Sequence, residues 1–284
     1  LAEAGFGDRL TAVFDDLGQL CVGIDPHPYL LAQWGLDDSA TSLREFGLRV
    51  VSATAGLAGI VKPQVAFFER HGSAGYAALE SVLAAARQAG LLVIADVKRG
   101  DLGTSVEAYG QAWLTPGSML EADAMTISAY QGVGSIAAPM ELALAGGKGL
   151  FVLAATSNPE AHDVQTAITA SGKSVASSIV GNVVQFNQTQ TEKTHGSIGL
   201  VLGATVDFAD YGIDLDQLAS EPSTPVLAPG FGHQGARYAD LETLYGSAAP
   251  FAVVAASRSI LQAGPEGIAD AVARQSAEVR ACRG

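Results

Sequence analysis

Positive charge is scarce in this chain: 16 Lys and Arg stand against 29 Asp and Glu, leaving a formal net charge of −13. A field of that sign repels nucleic acid and anionic membrane surfaces, so neither is an expected partner, and an anionic ligand needs a local basic site. Cysteine is nearly absent too. Cys21 and Cys282 stand near opposite ends, with neither metal-ligand spacing nor a disulfide framework, which predicts structural thiols in a reducing cytoplasm. No apolar run is long enough to cross a bilayer, and "LAEAGFGDRL" has neither the basic nor the apolar region of a signal peptide. Charged residues of both signs reach only 16% against 48% hydrophobic, a balance that excludes a disordered chain and predicts a large packed interior.

What the sequence has in quantity is short apolar runs containing β-branched residues. They recur at 20–25 ("LCVGID"), 59–64, 91–98 ("LLVIADVK"), 124–128, 149–156, 198–205, 225–230 and 251–258 ("FAVVAASR"), giving eight candidate strands. Between most of them lie Ala- and Leu-rich segments such as 74–90, where Tyr76, Leu79, Val82, Leu83 and Ala86 recur at helical spacing and Gly90 supplies a C-terminal cap. Strands alternating with helices imply βαβ units, and eight of them at 284 residues predict one closed (β/α)8 barrel over residues 1–284. A doubly wound open sheet is the main rival, but no G-x-G-x-x-G fingerprint follows the first strand. Residues 157–197 read as an elaborated loop and helix after the fifth strand.

The few charges are not scattered. Asp25, Lys62, Asp96 with Lys98, Ser157 and Arg258 fall at the C-terminal ends of the inferred strands, where a barrel collects its active site. Alternation puts Leu92, Ile94, Asp96 and Lys98 on one face of the third strand, so the two charges cap a column of inward side chains while Arg99 turns away. By the same parity Lys62 shares a face with Ile60, and Asp25 with Gly23. One such charge is most simply half of an ion pair that fixes register. Two lysines and two aspartates converging on one mouth point instead to a functional site, because buried charge is costly unless it is paired. An anion site is expected opposite them. "APGFGHQGA" (228–236) places glycines around Gln234, and Arg258 follows the eighth strand between Ser257 and Ser259; barrels commonly hold a phosphate between these two loops.

These residues resemble the orotidine 5'-phosphate decarboxylase family. "DVKRGDLGTS" (96–105) is similar to that family's D-x-K-R-x-D-I-G-x-T signature, and "GIDPHP" together with "DVKRGD" resembles its longer-chain bacterial branch. The resemblance implies a TIM barrel of the ribulose-phosphate-binding type that converts orotidine 5'-phosphate to UMP and CO2 in pyrimidine biosynthesis, as a homodimer without cofactor or metal. It implies that Lys62, Asp96, Lys98 and Asp101 form the charge network around the scissile carboxylate, with Asp101 and Ser105 reaching the neighbouring subunit's site. It further implies that Asp25 binds a ribose hydroxyl, Ser157 the pyrimidine, and Gln234 and Arg258 the phosphate, with Pro229 beside the base. Ser105 stands where the family has Thr, and Leu102 where it has Ile; His233 and the 157–197 segment receive no role.

Loss of CO2 from C6 leaves an electron pair in an sp2 orbital that the ring cannot delocalise. A fixed ammonium at Lys98 can stabilise that charge and then deliver the proton, while Asp96 disfavours the charged ground state. Other phosphate-binding barrel lyases, such as a metal-dependent sugar-phosphate decarboxylase or aldolase, share a D-x-K on this strand; Lys62 and Asp101 favour the metal-free reaction. A Schiff-base aldolase needs a free amine, which a lysine between carboxylates does not offer. A non-catalytic nucleotide-binding scaffold would have no need for the whole charge set.

Overall fold

The computed structural model describes residues 4–190 and 194–282. Eight parallel strands close into a barrel in chain order: β1 (Leu20–Ile24), β2 (Ile60–Pro63), β3 (Leu92–Arg99), β4 (Ala124–Ser128), β5 (Gly149–Ala155), β6 (Ile198–Leu202), β7 (Val226–Pro229) and β8 (Ala252–Ala256). Each falls on one of the eight apolar runs. Nearly every strand residue is buried, because a barrel strand packs against interior side chains on one face and the helical ring on the other. This explains why the runs are continuous rather than alternating. The barrel expected from the sequence is the barrel observed.

The helix predicted over 74–90 spans Gly72–Gln88 and buries Ala78, Leu79, Val82, Leu83 and Ala86 against the strands. Tyr76 is the exception in that stripe: it stays half-buried and its hydroxyl donates to Glu69. The chain leaves this helix through Gly90 at φ +75°, and the Leu91 N–H bonds back to the Ala86 carbonyl, satisfying the last turn. The unit after β6 lacks an α-helix; "DLDQLASEPSTP" (214–225) forms only a 3-10 turn, Leu215–Ala219, before the prolines take over. Helix Phe6–Leu17 covers the opposite, N-terminal end of the barrel, burying Phe6, Leu10 and Phe14 and pairing Arg9 with Asp123.

The segment after β5 divides in two. Helix Val175–Gln188, capped by the Ser174 hydroxyl accepting the Ser177 N–H, is the regular barrel helix leading to β6. The elaboration is therefore confined to the stretch before it, with a 3-10 turn at Pro159–Ala161 and a short helix at His162–Thr166; residues 191–193 of the expected segment lie outside the described residues. No helix among the described residues is long and apolar enough to cross a membrane.

Candidate active site

The C-terminal ends of the strands surround a cavity of about 290 Å³. Eight of the ten residues expected at the site line it: Asp25, Lys62, Asp96, Lys98, Ser157, Pro229, Gln234 and Arg258. They come from the position just past β1, from β2 and β3, the loop after β5, β7 and its following loop, and the start of the short helix after β8. Asp101 and Ser105 do not reach this cavity. Asp101 lies in the turn after β3 with its own Oδ1 accepting the Leu102 N–H, and Ser105 is exposed on the first turn of helix Gly103–Leu114. Gly100 makes this turn possible, since a Cβ there would sit 2.8 Å from the Ser128 carbonyl oxygen.

Asp96 is the centre of the charged wall. Its Oδ2 accepts from Lys62 Nζ at 2.7 Å and Gln64 Nε2 at 3.0 Å, and its Oδ1 accepts from Lys98 Nζ at 2.6 Å and Thr126 Oγ1 at 2.9 Å. Burial alone would push this carboxyl up, but Lys62 and Lys98 outweigh it and hold Asp96 well below the usual carboxylate range. Lys62 is buried as well. Desolvation works against its ammonium, yet Asp96 and Asp25 over-compensate and raise its pKa, so it stays charged. Burial also pushes the Cys21 thiol, behind them in β1, up to about 12, which keeps it an inert apolar filler rather than a nucleophile. Lys98 differs from Lys62 in exposure, 46% of its side chain against 9%, so it faces the space a substrate would fill.

Simple alternation is not what places Lys98. Pairing between β3 and β4 shifts: β3 advances from Ala95 to Arg99 while β4 advances only from Met125 to Ile127. Within this bulge Lys98 takes φ +46°, the one positive φ at a residue other than glycine among those described. A side chain makes that conformation costly, by about 1–2 kcal/mol, and surrounding structure must hold it. Arg99 then points outward, pairing with Glu69 at 2.6 Å and lying over the Tyr109 ring, a structural cation as its parity predicts.

The opposite wall carries a cation. Arg258 makes no ion pair among the described residues, so its guanidinium is free for a ligand, and Gln234 and His233 reach the same space from the glycine-rich loop. Gly230, at φ +119°, turns the chain from β7 into that loop. On two residues that line the cavity, Asp25 Oδ1 and Ser257 Oγ are buried with no hydrogen-bond partner among the described residues.

The Orotidine 5'-phosphate decarboxylase / HUMPS family model matches residues 18–272. The chain belongs to this family. Among relatives named orotidine 5'-phosphate decarboxylase, one from Salinispora arenicola is 49% identical over 261 residues, covering 92% of this chain and 91% of the relative. One from Streptomyces coelicolor is 43% identical over 278 residues, covering 97% of each. A crystal structure from Streptomyces avermitilis, described as an orotidine 5'-phosphate decarboxylase, is 44% identical, superposes with a TM-score of 0.93 and covers 100% of this chain and 97% of its own.

Sequence reasoning missed several residues that line the cavity of this family member, chiefly Gln64, Thr126 and Thr156. Gln64 was within reach of it, lying two positions beyond Lys62 and so on the same face of the chain. Thr126 was not, because it is one polar residue in a buried strand and only β4's register against the bulge gives it partners. The elaboration after β5 also gains a role. Gln165 accepts the Thr156 N–H at 2.9 Å and donates to the Thr156 hydroxyl at 3.0 Å, pinning the loop that carries Ser157.

Proposed function

We propose that the protein decarboxylates orotidine 5'-phosphate to UMP and CO2 without a cofactor or metal, with Lys98 as the proton donor. The observation that carries this reading is the arrangement of the cavity: an alternating Lys62–Asp96–Lys98 row at one wall and an unpaired Arg258 at the other. A nucleotide carrying both a carboxylate and a phosphate matches the two ends. Relatives at 43–49% identity bearing that enzyme's name support the same substrate.

In this reading Arg258 and Gln234 hold the phosphate, the Asp25 carboxylate accepts a ribose hydroxyl, Ser157 holds the pyrimidine, and Pro229 packs beside the base. The substrate carboxylate sits against Asp96. Four donors keep Asp96 ionised and fixed, so the carboxylate meets a negative charge that cannot turn away, and that repulsion eases as neutral CO2 leaves. The C–C bond breaks with its electron pair left on C6. Lys98 Nζ stabilises that charge and then donates a proton to C6, giving UMP and a neutral amine that solvent reprotonates. Lys62, held charged by Asp96 and Asp25, is not available as the free amine a Schiff-base aldolase requires.

The protein acts as a homodimer in this account, with Asp101 and Ser105 serving the neighbouring subunit's site. Their position outside the cavity on an exposed turn supports it, as do the exposed apolar side chains nearby, Leu102, Tyr109 and Tyr130, the last 81% exposed. The cytoplasm is the proposed location, where thiols stay reduced. The deciding experiment follows the loss of orotidylate absorbance with purified protein, with and without EDTA. Turnover unaffected by EDTA is the expected result; no turnover rejects the substrate, and EDTA sensitivity rejects the metal-free chemistry.

A further inference from the structure

The Thr126 hydroxyl sits at the edge of the cavity, between the two charged groups of β3. It is buried, 1% exposed, in the middle of β4 and directly opposite the β3 bulge. Its Oγ1 donates to Asp96 Oδ1 and accepts the Lys98 backbone N–H, each at 2.9 Å. The direction of both bonds is fixed by chemistry: an ionised carboxylate and a hydroxyl can share only the hydroxyl's proton, and a peptide N–H can only donate. The bulge takes the Lys98 N–H out of the β3–β4 ladder, so the Thr126 side chain stands in for the carbonyl that a regular strand would present.

We infer that Thr126 is a positioning residue for decarboxylation, holding the Lys98 backbone at its positive φ and Asp96 at its orientation with one hydroxyl. This rests on the reading of Lys98 as proton donor. Thr126 thereby sets the distance between the two groups that must act in sequence. Asp96 loses its charged donor on Oδ1 when the Lys98 ammonium gives up its proton, and Thr126 is the group that still bonds that oxygen. A neutral donor suits this part, because it keeps the carboxylate in place without competing with Lys98 for charge.

The test uses the full-length Thr126→Val variant, which keeps the side-chain shape and removes the hydroxyl, and Thr126→Ser, which keeps the hydroxyl. With orotidine 5'-phosphate, Thr126→Val is expected to lower kcat by about 100-fold while KM changes by less than about threefold, as misplacement of a reacting group does. Thr126→Ser should recover most of that loss. A crystal structure of Thr126→Val should show Lys98 out of its left-handed conformation. The inference is overturned if Thr126→Val turns over like the unmodified protein, if Thr126→Ser is as impaired as Thr126→Val, or if Lys98 keeps its backbone in the Val variant. Should Thr126→Val fail to fold, Thr126→Ala carries the same readouts. If the unmodified protein leaves orotidylate intact, the proposed function fails by itself, and the Lys98 backbone in the variant crystal still decides whether Thr126 holds it in place.

Discussion

Replacing Lys62 by Met separates what the charge row contributes to stability from what it contributes to chemistry. Lys62 is 7% exposed and bonds Asp96 at 2.7 Å, so the variant leaves a buried carboxylate short of one charged donor. Breaking a buried pair on one side typically costs about 3–5 kcal/mol. Here Lys98, Gln64 and Thr126 still bond Asp96, which reduces the expected loss to about 2–3 kcal/mol, or a fall in Tm of roughly 3–5 °C for a chain of 284 residues. The pH dependence gives a second handle. The folded-state pKa of Asp96 is depressed, so its stabilising contribution is present above the unfolded carboxyl value of about 4 and is lost as pH falls through the lower folded value. Without Lys62, burial weighs more heavily, the folded value climbs, and the acid limb of the Tm–pH curve moves to higher pH. Adding Asp96→Asn removes the stranded charge and should restore much of the lost stability, though not activity. Thermal melts of both variants between pH 3 and 8 make the comparison. If Lys62→Met melts with the unmodified protein, or if the double variant is no more stable than the single, the account of a buried, mutually held charge row is wrong.

Three further outcomes are expected. Lys98→Ala should reduce turnover by at least about 10⁴-fold while leaving Tm within a few degrees, since its side chain is half exposed and Lys62, Gln64 and Thr126 still bond the buried Asp96; near-normal UMP formation would remove it from the reaction. Arg258→Ala should lower kcat/KM by roughly 10- to 100-fold, the worth of a charge-assisted hydrogen bond, mainly through KM; an unchanged kcat/KM would place the anion site elsewhere. Mixing inactive Asp101→Ala and Lys98→Ala proteins under subunit exchange should restore about a quarter of full activity, because half the dimers then carry one intact composite site. No recovery would mean that Asp101 acts within its own subunit, and an Asp101→Ala protein that is active alone would mean that it does not act at all.

The elements differ in how legible they are, and the reason is range. The strand formed by residues 124–128 and the helix formed by 72–88 are local patterns, visible as a short buried run and as a stripe at helical spacing. The signature from Asp96 to Ser105 is local as well, so the family resemblance could be read directly. Within 157–197 the helical run "KSVASSIVGNVVQF" is local as well and falls on helix Val175–Gln188, whereas the part played by the stretch before it depends on long-range packing. The same applies to Gln165, whose importance is two hydrogen bonds to Thr156 nine positions away.

By itself the sequence determined the barrel, the ends of its strands and the identity of the charges gathered there, because eight apolar runs separated by helical stripes admit few other packings. The tertiary structure alone decided how those charges are held. Alternation places Asp96 and Lys98 on one face, but the contact between them depends on a register shift against β4 and a left-handed backbone at Lys98, both secured by Thr126 from the next strand. Hydrogen bonds between strands are set by pairing register, which no single strand's sequence specifies. Asp101 marks the same division: its residue type could be read from the motif, while its exclusion from the cavity follows from the turn at Gly100 against Ser128.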